Sequence, residues 1–258
     1  VTLIALIKTH GLEYAFAAVA LAGVIQIIVG IFKWAKYIRL VPESVMFGFV
    51  NGLAVIIFSA QLQQFFTTDA ASGQQVLLQG NTMITMASLV ALTVAITFLF
   101  PKVTKKFPAS LAAIIAVFAV VLVFGIKTRT VGDISPISGT LPPLHIPSVP
   151  LTWETFKLIL PYSAVVAAVG LTEGLLTLNL VDEITETKGN GSREALAQGA
   201  SNMLNGFFTG MGGCPMIAQT LVNLNAGARS RVAGVVAAIT IMAIVLVGAP
   251  VIEKIPMA

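Results

Sequence analysis

Long stretches without a charged residue are the feature that most limits how this chain can fold. Most of them are long enough to cross a bilayer, which takes about 20 apolar residues per helix. Hydrophobic residues make up 57% of the 258-residue chain and charged residues only 10%, against about 25% charged in typical globular proteins. The chain is therefore predicted to be an integral membrane protein. The uncharged stretches are residues 14–32, 44–68, 70–101, 107–126, 158–172, 195–228 and 232–252.

These stretches are predicted to be helices. None alternates polar and apolar residues over short strands as an outer-membrane barrel would, so the fold class is all-α. The net charge of +4 does not indicate nucleic-acid binding, because in a membrane protein the placement of Lys and Arg matters more than their total. The single cysteine, Cys214, cannot form an intrachain disulfide. The first residues, VTLIALIKTHGLE, lack an initiator Met and a basic leader, so the sequence is expected to be a fragment.

Charge and proline landmarks divide the chain into helices. A first span from about Leu12 to Leu40 ends in FKWAKYIRL, whose basic and aromatic residues are typical of a cytoplasmic interface. A second helix begins at Pro42, a residue that suits the first turn. A short polar loop is expected at 67–81. Further helices are predicted at 82–100, 108–125, about 153–186, 193–208, near 215–225 and 231–250.

The proline-rich segment 127–152 is predicted to be a loop between two halves of the chain, because Pro opposes regular structure. If the basic ends of the first and third spans face the cytoplasm, this loop lies outside and Lys188 and Arg193 lie inside. Residues 195–228 must then leave the cytoplasm and return. They are predicted to form one helix followed by a broken, re-entering one at 212–226.

The sequence GMGGCPMIAQT, residues 210–220, predicts an extended backbone that turns into a short helix near 214–219. The exposed N–H groups at the start of such a helix carry about half a positive charge and bind anions. In transporters, half-helices of this kind point at substrates near the middle of the membrane. The candidate anion-binding residues are Gly213, Cys214, Pro215, Met216 and Ile217.

Glu173 is a lone acid inside the apolar run AVVAAVGLTEGLLTLNLVDEI. A charge at bilayer depth costs about 2.5–3.5 kcal/mol on insertion scales, so such a group usually faces a cavity or a partner. Thr177 lies four residues on, over the same helix face. The two side chains could bind Na⁺, or the carboxylate alone could take up H⁺, because burial disfavours its charged form. The alternative is a Glu that only bonds a neighbouring helix.

Other polar residues give weaker indications. Gln198, Asn202 and Asn205 share one helix face, which indicates bonding between helices rather than a site. Gln26 is interpreted in the same way. The two histidines have no metal-ligand neighbours, so no metal site and no cofactor are predicted. No HExxH or GxSxG arrangement is present, so a membrane-embedded hydrolase, and an enzyme of any kind, is not expected.

Two segments resemble the SulP family of inorganic anion transporters, the sulfate permease and bicarbonate transporter group. They are FKWAKYIRLVPESVMFGFVNGLAVIIFSAQL and GLTEGLLTLNLVDEITETKGNGSREALAQGASNMLNGFFTGMGGCPMIAQTLVNLNAGARSRVAG. The resemblance implies fourteen segments in two inverted seven-helix repeats, with a core domain and a gate domain that move relative to each other. Residues 1–126 would hold about segments 4–7 of the first repeat, 127–152 an extracellular linker, and 153–258 about segments 8–11 of the second. The first three and last three segments and the cytoplasmic STAS domain would be missing, and the resemblance makes a homodimer possible.

The resemblance also implies roles for residues of the site. The anion would sit between the broken third and tenth segments, and the tenth begins here near Cys214–Met216. The cation or proton position falls on Glu173, with Thr177 matching a hydroxyl that helps hold Na⁺ in the bicarbonate-transporting branch. That branch has Asp where this chain has Glu173, which leaves Na⁺ and H⁺ both open.

The function predicted from the sequence is secondary active transport of a small inorganic anion, such as sulfate, bicarbonate or chloride, coupled to H⁺ or Na⁺. The protein is expected to span the cell (inner) membrane several times, with the lipid bilayer and the rest of the transporter as its partners. The alternative function is a non-transporting scaffold or sensor on the same fold. The fragment alone is not expected to transport.

Overall fold

The computed structural model describes residues 2–40, 43–62, 65–68, 75–77, 80–104, 109–126, 128, 130–134, 139–150 and 152–256. The helices in this part of the chain are α1 (Thr2–His10), α2 (Leu12–Ile31), α3 (Glu43–Leu62), α4 (Asn81–Val103), α5 (Ala109–Phe124), α6 (Val131–Ile134), α7 (Trp153–Thr185), α8 (Gly191–Phe207), α9 (Ile217–Asn225) and α10 (Arg231–Ile252). A 3₁₀ helix covers Trp34–Leu40, and strands β1 (Phe66–Thr68) and β2 (Gln75–Leu77) form a small antiparallel hairpin.

Four of the described helices are long and apolar enough to cross a membrane: α4 over Asn81–Lys102, and α2, α7 and α10 over their full lengths. The shorter apolar helix α5 covers Ala109–Phe124. The helices predicted from the sequence occur close to their expected positions, which agrees with an all-α membrane protein.

The structure differs from the sequence prediction at several places. The first span ends at Ile31 and not at Leu40, because Lys33 has a positive φ of 57° and the chain continues as a 3₁₀ helix. α1 was not predicted, and Gly11, with φ of 92°, separates it from α2. The stretch expected to be a polar loop contains the β1–β2 hairpin, and the proline-rich segment contains α6. Pro42, expected to begin the second helix, lies outside the described residues.

The helices group into two compact units. Unit 1 comprises Val1–Phe47 and Leu141–Val235, and unit 2 comprises Gly48–Thr140 and Val236–Ala258. Two of the boundaries fall inside α3 and α10, so each of these helices is divided between the units. The division into repeats at 1–126, 127–152 and 153–258 is a statement about sequence order and stays a prediction.

Unit 1 is built on close contact between α2 and α8. A Cβ placed on Gly199 would lie 2.7 Å from the Gly23 carbonyl oxygen and 2.7 Å from the Ile27 nitrogen. A Cβ on Gly206 would lie 2.7 Å from the carbonyl oxygen of Phe16. Small residues let helix backbones approach in this way, and van der Waals packing then holds the helices together without a hydrophobic driving force. α7 packs against both helices of this pair.

A side-chain cap fixes the start of α7, and a carboxylate of α7 holds the turn that follows its end. At its start Thr152 accepts a hydrogen bond from the Thr155 backbone nitrogen, as N-cap residues commonly do. At its end the chain turns through Glu186, whose φ is 53°. The Asp182 carboxylate then accepts from the Gly189 nitrogen at 2.7–2.8 Å. Asn190 in turn caps α8, so the α7–α8 connection is short and ordered.

The loop before α7 is tied to α2 and α8 within the same unit. His145 Nε2 lies 2.9 Å from both carboxylate oxygens of Glu13. The Ser148 backbone nitrogen donates to the same carboxylate at 2.8 Å. The His145 backbone nitrogen donates to the Phe207 carbonyl at 2.7 Å. The irregular segment predicted from its prolines is therefore held in place by one acid and one helix end.

Unit 2 contains the α4–α5 pair and the C-terminal residues. Leu89 of α4 packs against Val117 and Val121 of α5 in a buried apolar cluster. Near α6, the Val131 nitrogen donates to the Ile255 carbonyl at 3.0 Å. This contact joins the proline-rich segment to the end of the described chain.

Candidate functional site

Glu173 lies in the middle of α7, in unit 1, and is only 8% exposed. The thiol of Cys214 donates a hydrogen bond to its Oε2 at 2.9 Å. The acid therefore faces the extended segment between α8 and α9 and is not directed at open hydrocarbon. A buried carboxylate needs such donors, because leaving an ionised group unpaired is costly.

Thr177 lies one turn after Glu173 on the same face and is also buried. Its hydroxyl lies 2.8 Å from the Glu173 carbonyl oxygen and 3.1 Å from the Pro215 carbonyl oxygen. The hydroxyl thus joins α7 to the extended segment at a second point. Its lone pairs remain able to bind a cation, since a hydroxyl has one donor and two acceptor sites.

The extended segment, residues 210–216, is held by Asn202 of α8. The Gly213 nitrogen donates to Asn202 Oδ1 at 2.8 Å, and Asn202 Nδ2 donates to the Gly213 carbonyl at 3.0 Å. Asn202 Nδ2 also donates to Gln26 Oε1 at 2.9 Å. The Asn202 amide therefore satisfies both backbone groups of Gly213, as the backbone of a neighbouring β-strand would.

The sequence predicts only contacts between helices for Gln26 and Asn202. Both are nearly inaccessible, at 0% and 1% exposed, and the structure places them in the chain of hydrogen bonds that positions Gly213. The signal in the sequence was an amide side chain inside an uncharged helix, close to a glycine-rich break. That signal alone does not say which backbone group the amide will bind.

The short helix α9 begins directly after the extended segment. Met216 is its N-cap residue, in an extended conformation, and it makes no side-chain capping bond. The first turn closes when the Thr220 nitrogen donates to the Met216 carbonyl at 3.1 Å. The N–H groups of an uncapped first turn leave partial positive charge at that end of the helix.

The structure thus brings Cys214 and Pro215 into contact with Glu173 and Thr177. Gly213 precedes Cys214 in the chain and is held by Asn202. Met216 and Ile217 lie at the start of α9, half-buried, and no bond joins their side chains to Glu173 within the described part of the chain.

A cavity of about 320 Å³ lies beside the extended segment in unit 1. Gly212, Gly213 and Cys214 of the extended segment line it, together with Gly170 of α7. The rest of its lining is apolar and comes from α1, α7 and Met211. Neither Glu173 nor Thr177 is among the residues that line it.

No group of three His, Cys, Asp or Glu side chains lies close enough to hold a metal ion among the residues that the structure describes. A cation bound here would instead rely on one carboxylate together with hydroxyl and carbonyl oxygens. Such hard oxygen ligands suit alkali and alkaline-earth ions better than transition metals.

Comparison with known proteins gives a consistent family. A family model described as the sulfate permease family matches residues 2–258. The chain is 43% identical to the putative sulfate transporter YbaR of Bacillus subtilis, over 100% of this chain and 51% of that protein. It is 30% identical to the bicarbonate transporter BicA of Synechocystis, over 100% of this chain and 46% of that protein. The chain therefore spans about half the length of these relatives.

Solved structures give the same fold. The transmembrane domain of a cyanobacterial bicarbonate transporter BicA matches with a TM-score of 0.81 and 28% identity, over 99% of this chain and 67% of that one. The structure of SLC26A9 matches with a TM-score of 0.70 and 17% identity, over 98% of this chain and 42% of that one, and shows the fold alone. The predicted all-α membrane fold, part of an inverted-repeat transporter fold, is confirmed by these matches.

Proposed function

The chain belongs to the sulfate permease family, and we propose that it takes part in secondary active transport of a small inorganic anion, coupled to H⁺ or Na⁺. The anion binds at the start of the half-helix near 214–219, and the cation binds at Glu173 with Thr177. Sulfate, bicarbonate and chloride are the candidate anions. The relatives named as sulfate and bicarbonate transporters support this substrate class.

The observation that carries the proposal is the 2.9 Å hydrogen bond from Cys214 to Glu173. It joins the acid directly to the segment that leads into α9. A cation site and an anion site that share one short segment interact strongly, because Coulomb energy between charges a few ångströms apart is large where water is scarce.

Coupling follows from the sign of the charges. When Glu173 is ionised and empty, its negative charge repels an anion at the start of α9. A proton or Na⁺ on Glu173 removes that repulsion, so each ion raises the affinity for the other. This reciprocity is a general property of linked sites.

The anion meets backbone groups in this proposal. The candidate residues are Gly213, Cys214, Pro215, Met216 and Ile217, none of which carries a positive side chain. The partial charge of the first helical turn therefore supplies the attraction. Oxyanions of similar size would meet the same N–H groups, so the anion is proposed as a class.

The setting is proposed from the family and the charge pattern. The protein spans the cell (inner) membrane several times, with 127–152 outside and 153–258 beginning the second repeat. The further segments, the STAS domain and a homodimeric partner are proposed as they occur in the family.

The test is uptake of labelled anion into proteoliposomes by the whole transporter that contains this chain, compared with its Glu173→Gln variant. We expect cation-driven uptake to fall about 5- to 150-fold, the usual range of coupling between two sites. The variant removes the charge but keeps the shape of the side chain. A fall in uptake supports the proposal only when the Glu173→Gln variant is recovered as folded protein.

Glu183→Gln is the matched control, because Glu183 lies on the same helix but is exposed near its end. It should transport like the unaltered protein. Unchanged, still cation-driven uptake by Glu173→Gln would remove Glu173 from the mechanism.

A further inference from the structure

Gln198 of α8 is a buried polar side chain without a hydrogen-bond partner in the described part of the chain. The residue is 6% exposed, and neither its Nε2 nor its Oε1 has a hydrogen-bond partner among the described residues. Buried amides in folded proteins nearly always have partners, so an exception calls for a specific explanation. A ligand that is bound during function is one such explanation.

The side chain lies in a slot on α7 that two glycines create. A Cβ on Gly174 would lie 2.9 Å from Gln198 Oε1, and a Cβ on Gly170 would lie 2.8 Å from Gln198 Nε2. The amide therefore runs along α7 over the turn that carries Glu173. No side chain larger than hydrogen at positions 170 and 174 leaves room for it without a shift.

Pro215 accounts for the missing donor to the Gln198 amide oxygen. Asn202, one turn later in α8, is satisfied by the N–H and carbonyl of Gly213. Gln198 has Pro215 beside it, whose Cδ lies 3.3 Å from the same Gly174 Cβ position as Gln198 Oε1. Proline has no N–H to donate, and its carbonyl already accepts from Thr177. The extended segment thus leaves the Gln198 oxygen without a donor.

We propose that Gln198 is a further ligand of the coupling cation, with Glu173 and Thr177, and that this cation is a metal ion such as Na⁺ and not a proton. The inference rests on the proposed function. The seam between α7 and residues 210–216 holds a carboxylate, a hydroxyl, an amide oxygen and the Pro215 carbonyl. A proton needs one carboxylate oxygen, whereas a hard metal ion needs several oxygen ligands.

The experiment measures binding of labelled Na⁺ to the purified protein at fixed pH, without anion. Gln198→Met keeps the length of the side chain and removes both polar atoms. We expect its Na⁺ affinity to be about ten-fold weaker, comparable with the loss of a supporting group at other metal sites. Gln61→Met makes the same change at an exposed position of α3 and should bind Na⁺ like the unaltered protein.

Melting temperature and elution profile show whether each variant is folded. If Gln198→Met does not fold, Gln198→Asn replaces it. This variant keeps the amide but withdraws its oxygen by one carbon, and weaker Na⁺ binding is again expected.

The outcomes separate the two proposals. Unchanged Na⁺ affinity in folded Gln198→Met, with affinity lost in Glu173→Gln, overturns the role of Gln198 and leaves the proposed function standing. If the unaltered protein binds no Na⁺ and its anion uptake follows a pH gradient alone, the metal ion is wrong and the proposed transport remains. If Glu173→Gln keeps both Na⁺ binding and cation-driven uptake, the proposed cation site itself fails.

Discussion

The thiol of Cys214 acts as a hydrogen-bond donor to the Glu173 carboxylate. It lies in the segment that leads into α9. A change in the charge of Glu173 therefore changes the strength of a hydrogen bond made by that segment. The sequence predicts this cysteine as one of the anion-binding residues of the glycine-rich motif, and does not predict its contact with Glu173. Its contact with Glu173 makes it the closest link between the two proposed ion sites.

We predict that Cys214→Ala shifts the cation concentration that gives half-maximal anion uptake by about two- to ten-fold, since one hydrogen bond contributes about 0.5–1.5 kcal/mol. Cys214→Ser keeps a donor at the same position and should shift it less. The measurement is uptake against cation concentration in proteoliposomes. Equal shifts in the two variants would contradict a role for the hydrogen bond.

The residues of the proposed site could be predicted from the sequence only in part. Glu173 and Thr177 stand out because a charge inside an apolar helix needs a reason, and Gly213 to Pro215 stand out because they break a helix at bilayer depth. Gln26, Gln198 and Asn202 could not be separated from ordinary packing residues. The partner of an amide depends on the distance between helices, which the sequence does not give.

At the scale of elements, α2 and α8 meet through glycines. We predict that Gly199→Ala destabilises the protein by about 1–3 kcal/mol, the usual cost of overpacking. The new methyl group would press on two backbone atoms of α2, which cannot turn aside as a side chain can. The measurement is the melting temperature of the purified protein.

Gly234→Ala in α10 is the matched control, because a Cβ there meets nothing within 4 Å. It should leave the melting temperature unchanged or raise it slightly, since Ala favours helix over Gly. If Gly199→Ala melts like this control, the close α2–α8 contact is not present in solution.

The sequence predicted most helices because uncharged runs of membrane-spanning length admit little else. It could not place α1, because LIALI is too short a run to be told from the end of a longer segment. The β1–β2 hairpin was also missed. Its three-residue strands leave too little sequence for an alternating pattern to be seen.

For the whole molecule, α7 provides a test of orientation in the membrane. Its 33 residues span about 50 Å at 1.5 Å per residue, which exceeds the roughly 30 Å hydrocarbon core. We predict that Leu144 and Lys188, beyond its two ends, lie on opposite sides of the membrane. Both are exposed.

Single cysteines at these positions, in a Cys214→Ser background, are treated with a maleimide that cannot cross the membrane. Leu144→Cys should react in intact cells, and Lys188→Cys only after the cells are opened. Labelling of both positions from outside would show that α7 does not cross.

The backbone contact between α2 and α8 has a consequence for selectivity. Helices whose backbones are in direct contact cannot move apart to admit a larger anion. Asn202 also fixes the extended segment that leads into the proposed anion site. We therefore expect the proposed anion site to be rigid and to select anions by radius. An anion slightly larger than the site should be excluded. A slightly smaller anion should bind with low affinity, because the site cannot close around it.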